Sequence, residues 1–280
     1  MIGTYAKAAA PLIPGASKLP WVAGGGGEMP DLHRTRTGVQ IDREHLARYA
    51  KVCGFRLRDE VPATYPHMLA FPMHMDLMTD GRFPFGAVGL VHIENRIQIH
   101  RPVRLGDALD ITVRPSEVRD HPKGKAFSLI TEARIDGDVV WEEASVFLRR
   151  GGGSGGGDGD GKAKRSRKKE PEPPPFVAEW KLPGDLGRRY AAVSGDSNPI
   201  HMHSLSARLF GFPRAIAHGM WTKARCLAAL DARLPETYAV EATFKKPILL
   251  PGRIRFAADD SRFRVTGKED SVHLEGTVTR

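Results

Sequence analysis

Two cysteines, Cys53 and Cys226, are all that 280 residues contain. They lie far apart and without metal-type spacing, which excludes a disulfide scaffold and a structural zinc site and implies a reducing, cytoplasmic setting. Long apolar runs are missing too. Nothing approaches the roughly 18 residues of a membrane span, and the first twenty residues carry Pro11, Pro14 and Pro20 in place of a signal-peptide core, so no membrane span is expected. The glycine run 24–27 lacks the strand, helix and lysine of a phosphate-cradling loop and reads as a plain loop. The aromatic-and-basic interleaving of RNA readers is also absent, and no nucleic-acid partner is expected. With 41% apolar residues, the chain has enough material for two medium domains with real cores.

The elements fall into two groups. Ile41 and Asp42 open a helix that closes at Gly54, and a second helical stretch covers 67–78 with an interruption at Pro72. Strands follow: Ile93, Ile97 and Ile99 in one, Leu109, Ile111 and Val113 alternating in the next, then 127–135 and 139–148, with Gly106-Asp107 and Gly137-Asp138 as turns. Residues 151–175, GGGSGGGDGDGKAKRSRKKEPEPPP, offer nothing but one alanine to pack and read as a flexible basic linker. That linker accounts for only +2 of the net charge of +9, so the basic excess belongs to the flanking halves. Beyond it come an edge strand at 176–182, a short helix at 187–193, a loop, an uninterrupted helix at 220–234 and strands at 239–244, 253–257, 263–266 and 272–278.

Chemistry concentrates in YAAVSGDSNPIHMHSLSARLFGFPRAIAHGMWT, from Tyr190 to Thr222. Asp196 and His201 stand five residues apart in a segment too rich in turn formers for regular helix, with Ser194-Gly195 before the acid and Asn198-Pro199 between. A bent loop aims both at one water, where each accepts or donates a proton near neutral pH. Asn198 braces the turn. Ala217-His218-Gly219 then precedes an apolar helix beginning at Met220, so the Gly219 amide is left unpaired at a helix N-terminus, a site for a developing oxyanion. On its own the Asp-x4-His pair reads as a capping acid and a surface histidine, with catalysis as the rarer alternative.

The full string decides between them. Tyr190, Val193, Ser194, Gly195, Asp196, Asn198, Pro199, Ile200, His201 and Ala207, in this order, resemble the signature of the MaoC-like dehydratases and (R)-specific enoyl-thioester hydratases, and Ile216-Ala217-His218-Gly219-Met220 resembles that family's second block. The resemblance implies an α+β hot-dog fold, an antiparallel sheet wrapped around a long helix. It implies reversible hydration of a trans-2-enoyl thioester to the (3R)-3-hydroxyacyl thioester, with no metal and no cofactor. Asp196 and His201 become the catalytic pair, Gly219 the amide holding the thioester oxygen, and Asn198, Ser194 and His218 supporting residues. Tyr190, Pro199, Met220, Lys245 and Lys246 fall to substrate binding. A basic surface suits the phosphates of coenzyme A or an acidic acyl carrier protein. Acyl-CoA or acyl-carrier thioesters of fatty-acid or related lipid metabolism are the substrates so implied, and assembly into a homodimer is compatible with the reading.

The halves also look like repeats. Tyr49 to Phe55 align with Tyr190 to Asp196, and Ile99 to Gly106 with Thr243 to Gly252 once two residues are inserted. On that alignment Phe55 stands for Asp196 and Glu60 for His201, so the first half has lost the chemistry. Such a pair resembles the double hot-dog dehydratases: an N-terminal extension at 1–38, a degenerate repeat at 39–150, the linker at 151–175 and a catalytic repeat at 176–280. Other residues have plainer readings. His203 is a surface residue, His218 shapes the Gly219 turn, and His67, His74, His92 and His100 are scattered in the degenerate half. Met68, Met73, Met75 and Met78 read as adaptable core with an acyl channel as the alternative. A hot-dog thioesterase and an inactive acyl-thioester binder or scaffold are the rival functions; intact Asp196, His201 and Gly219 weigh against both.

Overall fold

The computed structural model describes residues 27–87, 89–151 and 172–280. Glycines 24–26 and most of the basic linker fall outside the described residues. Each half follows one plan. The first runs β1 (Arg34–Gln40), α1 (Arg43–Cys53), α2 (Tyr65–Met78), β2 (Leu90–Ile99), β3 (Ala108–Pro115), β4 (Arg119–His121), β5 (Gly124–Ile135) and β6 (Asp138–Arg150). In the second come β7 (Phe176–Leu182), α3 (Leu186–Ser194), α4 (Pro199–Met202), α5 (Ser204–Leu209), α6 (Gly219–Leu230), β8 (Tyr238–Phe244), β9 (Gly252–Ala258), β10 (Arg262–Thr266) and β11 (Val272–Thr279). All strands join one antiparallel sheet in the order β1-β3-β5-β6-β2-β8-β11-β10-β9-β7, with β4 paired to β5. Read outward from the centre, each half contributes the same series of strands, as a double hot-dog requires.

The strands form where alternation predicts. Leu109, Ile111 and Val113 of β3 and Phe263 and Val265 of β10 turn inward, while their neighbours face out. Asp42 caps α1 by accepting from the His45 amide at 2.6 Å, and Gly54, at φ 85, closes it in the left-handed conformation. Strand β1 has no signature in the sequence: its residues are mostly exposed and carry no inward alternation, and pairing with β3 alone makes it a strand. The line drawn between 38 and 39 falls inside it. Residues 172–175, assigned to the linker, run along the second half, where the Pro175 carbonyl accepts from the Ala258 amide. Among the described residues no helix is long and apolar enough to cross a membrane.

Two helix readings need correction. Pro72 does not interrupt its helix: α2 is continuous over 14 residues. Ten of them are buried, including Met68, Met73, Met75 and Met78, so packing on all sides outweighs the lost amide hydrogen bond. The helix of the second half is the shorter one, because α6 ends at Leu230 and tightens into a 3-10 turn over Asp231–Arg233. Met68, Met73, Met75 and Met78 accordingly pack as core of the first half.

The halves meet at β2 and β8. Their ladder runs from Glu94 opposite Thr243 to Ile99 opposite Tyr238, with Arg96 opposite Glu241. The same short bridge closes each half: Val61 N–H donates to the Val103 carbonyl as Ala217 N–H does to that of Ile248, and Leu105 N–H donates to Asp59 as Leu250 N–H does to Ala215. These matches put Val103 on Ile248 and hence Arg96 on Glu241, so a pseudo-twofold axis passes through that facing pair.

Candidate active site

Helix α3 delivers the acid. It ends at Gly195, whose φ of 74 turns the chain sharply, and the Gly195 amide bonds the Ala191 carbonyl as the Gly54 amide bonds that of Ala50. Asp196 follows at once. Its own amide is held by Ser194 Oγ at 3.1 Å, and its Oδ1 accepts from the Asn198 amide at 3.2 Å, so the carboxylate sits in a small turn. Asn198 in turn caps α4, with Oδ1 accepting from the Ile200 amide, and Pro199 occupies the first turn where its missing N–H costs nothing. The spacing of Asp196 and His201 is thus a helix cap, a tight turn and one turn of helix.

His201 is buried, which rules out the reading of the pair as a capping acid and a surface histidine. Its Nδ1–H donates to the Ile216 carbonyl at 2.8 Å, which leaves Nε2 with the lone pair. Burial lowers its pKa, and the Asp196 charge opposes that only in part, so the ring is neutral. Gly187 makes the placement feasible: a Cβ there would lie 2.0 Å from the His201 carbonyl oxygen.

His218 closes the other side. Its ring stacks on His201 with centroids 3.6 Å apart, and Nε2–H donates to the Asp196 main-chain carbonyl at 2.9 Å, 3.7 Å from Oδ2. Nδ1 is buried, with no hydrogen-bond partner among the described residues. Burial and the neighbouring His201 push its pKa down to about 3, so it works as a neutral brace. As N-cap of α6 it also leads into Gly219, whose amide belongs to the first helical turn and has no intrahelical acceptor. The Phe244 ring lies against Gly219, 3.0 to 3.2 Å from where a Cβ would stand. Phe244 and Gly187 escaped the sequence reading because close approach between distant segments leaves no local pattern.

The remaining candidates divide. Tyr190 is buried, its ring 4.9 Å from that of His218 and its hydroxyl 3.5 Å from Met68 Sδ of the first half. Met220 is core. Lys245 and Lys246 are exposed immediately past Phe244, with Lys245 3.5 Å from Glu275. His203 is exposed at the start of α5. His67, His74 and His92 are not scattered: the first two are buried with rings 5.3 Å apart, and the half-buried His92 joins them around Glu143, because α2 and β2 face each other across the core. Donor atoms of Asp196, His201 and His218, and separately of His67, His74 and Glu143, lie within 4.8 Å of one another, so either set has the composition of a metal site.

Glu60 does not stand where His201 does. It bridges Arg104 as Ile216 bridges Leu249, which makes it the counterpart of Ile216. The first half omits the segment carrying α4 and α5 and has no position for a second histidine. A cleft of about 90 Å³ lies at the pseudo-symmetric place, lined by Phe55, Pro62 and Ala63 where the second half has Asp196, His218 and Gly219.

Comparison with known proteins gives the family and the fold. Residues 167–279 match the MaoC-like domain. The chain is 39% identical over 248 residues to 3-hydroxyacyl-thioester dehydratase X of Mycobacterium tuberculosis, covering 88% of this chain and 83% of that one. This chain belongs to the MaoC-like dehydratase family. The crystal structure of HtdX from the same organism superposes on this MaoC-like dehydratase with a TM-score of 0.76 at 35% identity, over 88% of this chain and 99% of that one. A MaoC-like dehydratase from Phytophthora capsici, 21% identical, shares the fold with a TM-score of 0.70 over 90% and 95% of the two chains.

Proposed function

We propose that this MaoC-like dehydratase hydrates trans-2-enoyl thioesters to (3R)-3-hydroxyacyl thioesters and runs the reverse dehydration, in fatty-acid or lipid metabolism. The observation that carries the reading is the tautomer of His201. With Nδ1–H spent on Ile216, Nε2 is an acceptor beside the Asp196 carboxylate. A water held between them is deprotonated as its oxygen attacks C3, electron density moves to the thioester oxygen, and C2 then takes a proton from the same pair. The Gly219 amide, at the positive end of α6, stabilises that oxygen. Asp196 and His201 titrate as one coupled unit, so both proton steps belong to the pair. Ser194, Asn198 and His218 hold the carboxylate turn, Tyr190, Pro199 and Met220 shape the wall behind it, and Lys245 and Lys246 take carrier phosphates.

The relative of known name is a 3-hydroxyacyl-thioester dehydratase, which supports the thioester class. Coenzyme A and acyl carrier protein share the arm this site would read, and a cytoplasmic protein, as a monomer or homodimer, suits either. Loss of the enoyl absorbance of crotonyl-CoA tests the reaction. Release of free thiol would identify a thioesterase, and binding without either change an inactive carrier.

A further inference from the structure

Lys223 is fully buried, four residues after Gly219 and so on the same face of α6, one turn below the oxyanion amide. Its Nζ donates to the main-chain carbonyls of Asn95 and Val240, each at 3.1 Å, and to Asn95 Oδ1. Asn95 Nδ2 passes the contact on to Glu143 Oε1 at 2.6 Å and Ser145 Oγ at 3.0 Å. Glu143 Oε2 accepts from His67 Nδ1 at 2.8 Å. Every member is buried, and together they join α6 of the active half to α2 of the other half across β8, β2 and β6. Val61 matches Ala217, so His67 matches Lys223: the two central helices reach toward the pseudo-twofold axis from equivalent positions.

A chain of this kind is a poor source of stability. Taking an ammonium and a carboxylate out of water costs several kcal/mol each, and apolar residues of the same volume often serve as well. Burial lowers the Lys223 pKa to about 7 against the pull of Glu143 and Glu241, which records that cost. What a fully hydrogen-bonded network provides is a fixed register between the elements it joins. The element it fixes carries Gly219.

We propose that Lys223 is a positioning residue: through Asn95 and Glu143 it locks the N-terminus of α6 to the non-catalytic half, so that the half without an acid or base sets where the oxyanion amide stands. The inference rests on the assignment of Gly219 to the thioester oxygen. Binding a push–pull enoyl thioester, whose absorbance shifts to the red when its carbonyl accepts a strong hydrogen bond, tests it together with steady-state kinetics on crotonyl-CoA. Lys223→Met is expected to lower kcat by about tenfold or more, with KM within about twofold, and to remove most of the red shift. Because that variant takes a positive charge away from the buried Glu143, which keeps its bonds to His67 and Asn95, Lys223→Met/Glu143→Gln is measured beside it, and is expected to recover the melting temperature without recovering kcat or the shift. A folded double variant with wild-type kcat and red shift overturns the positioning role. Absence of turnover and of any red shift in the wild type would instead overturn the active-site assignment itself.

Discussion

Mild acid should unfold this protein, and the buried histidines set how much. His74, His92 and His218 have pKa values pushed down to about 3, in each case chiefly by burial; His74 and His218 are fully enclosed, so solvent screening gives them little relief, while His92 is half-buried and keeps only Nε2 shut away. In the unfolded chain each titrates near 6.5. Between the two values the unfolded state binds more protons, so stability is fully present above pH 6.5 and is lost as the pH falls below it. Each enclosed histidine then costs about 1.4 kcal/mol per pH unit, hence about 2 kcal/mol at pH 5, about 4 kcal/mol for His74 and His218 together and about 6 kcal/mol as the upper bound with the half-buried His92. That is comparable with the whole stability of a typical domain, about 5–15 kcal/mol. Glu143, whose charge burial opposes, is held near 2 because His67, His74 and Asn95 together outweigh that penalty, and it adds its loss only below its ordinary value of about 4.5. Lys223, lowered to about 7, acts between there and its unfolded value, in the alkaline range. Urea unfolding followed by circular dichroism from about pH 7.5 to about pH 5 gives the slope directly. A slope below pH 6 equivalent to fewer than about one proton would refute the account. His74→Leu should be less stable at neutral pH, having lost the bond to Thr131 Oγ1, yet its slope should fall by one proton.

Four further outcomes are expected. Asp196→Asn and His201→Gln should each lower kcat on crotonyl-CoA by about 100-fold to 10,000-fold while circular dichroism stays native, and a folded variant near wild-type kcat would remove the assigned pair. His201→Ala should in addition lower the melting temperature, because the ring fills a buried site and bonds Ile216. Gly187→Ala and Gly219→Ala should both reduce kcat, the first by driving the His201 backbone away and the second by forcing Phe244 or α6 to shift by a few tenths of an ångström; an unchanged rate in the first would contradict the 2.0 Å approach, and in the second would show that Phe244 yields without moving the amide. Cutting the chain within 152–171 should leave the halves together on gel filtration, since the β2–β8 ladder and the Trp221 Nε1 bond to the Val52 carbonyl join them; separated fragments would contradict the continuous sheet.

The sequence by itself determined most of the strands, the stops and caps of α1 and α3, and the candidate residues for the chemistry. Alternation in β3 and β10, the Asp42 cap and the Gly54 and Gly195 stops act through neighbours along the chain, and the Asp196, His201 and Gly219 blocks have fixed spacing because one turn and one helix start carry them. Tertiary structure decided what depends on distant partners. Pro72 stays helical because α2 is enclosed, β1 exists because β3 has a free edge, and Glu60 matches Ile216 because backbone pairing with Arg104, invisible to an ungapped alignment, sets the register. Proximity across the core likewise gathers His67, Glu143, Asn95 and Lys223, which no local spacing connects. Periodicity and capping are short-range forces and can be read from the chain; burial, close approach and buried charge pairing are properties of the folded interior, where residues far apart in sequence first meet.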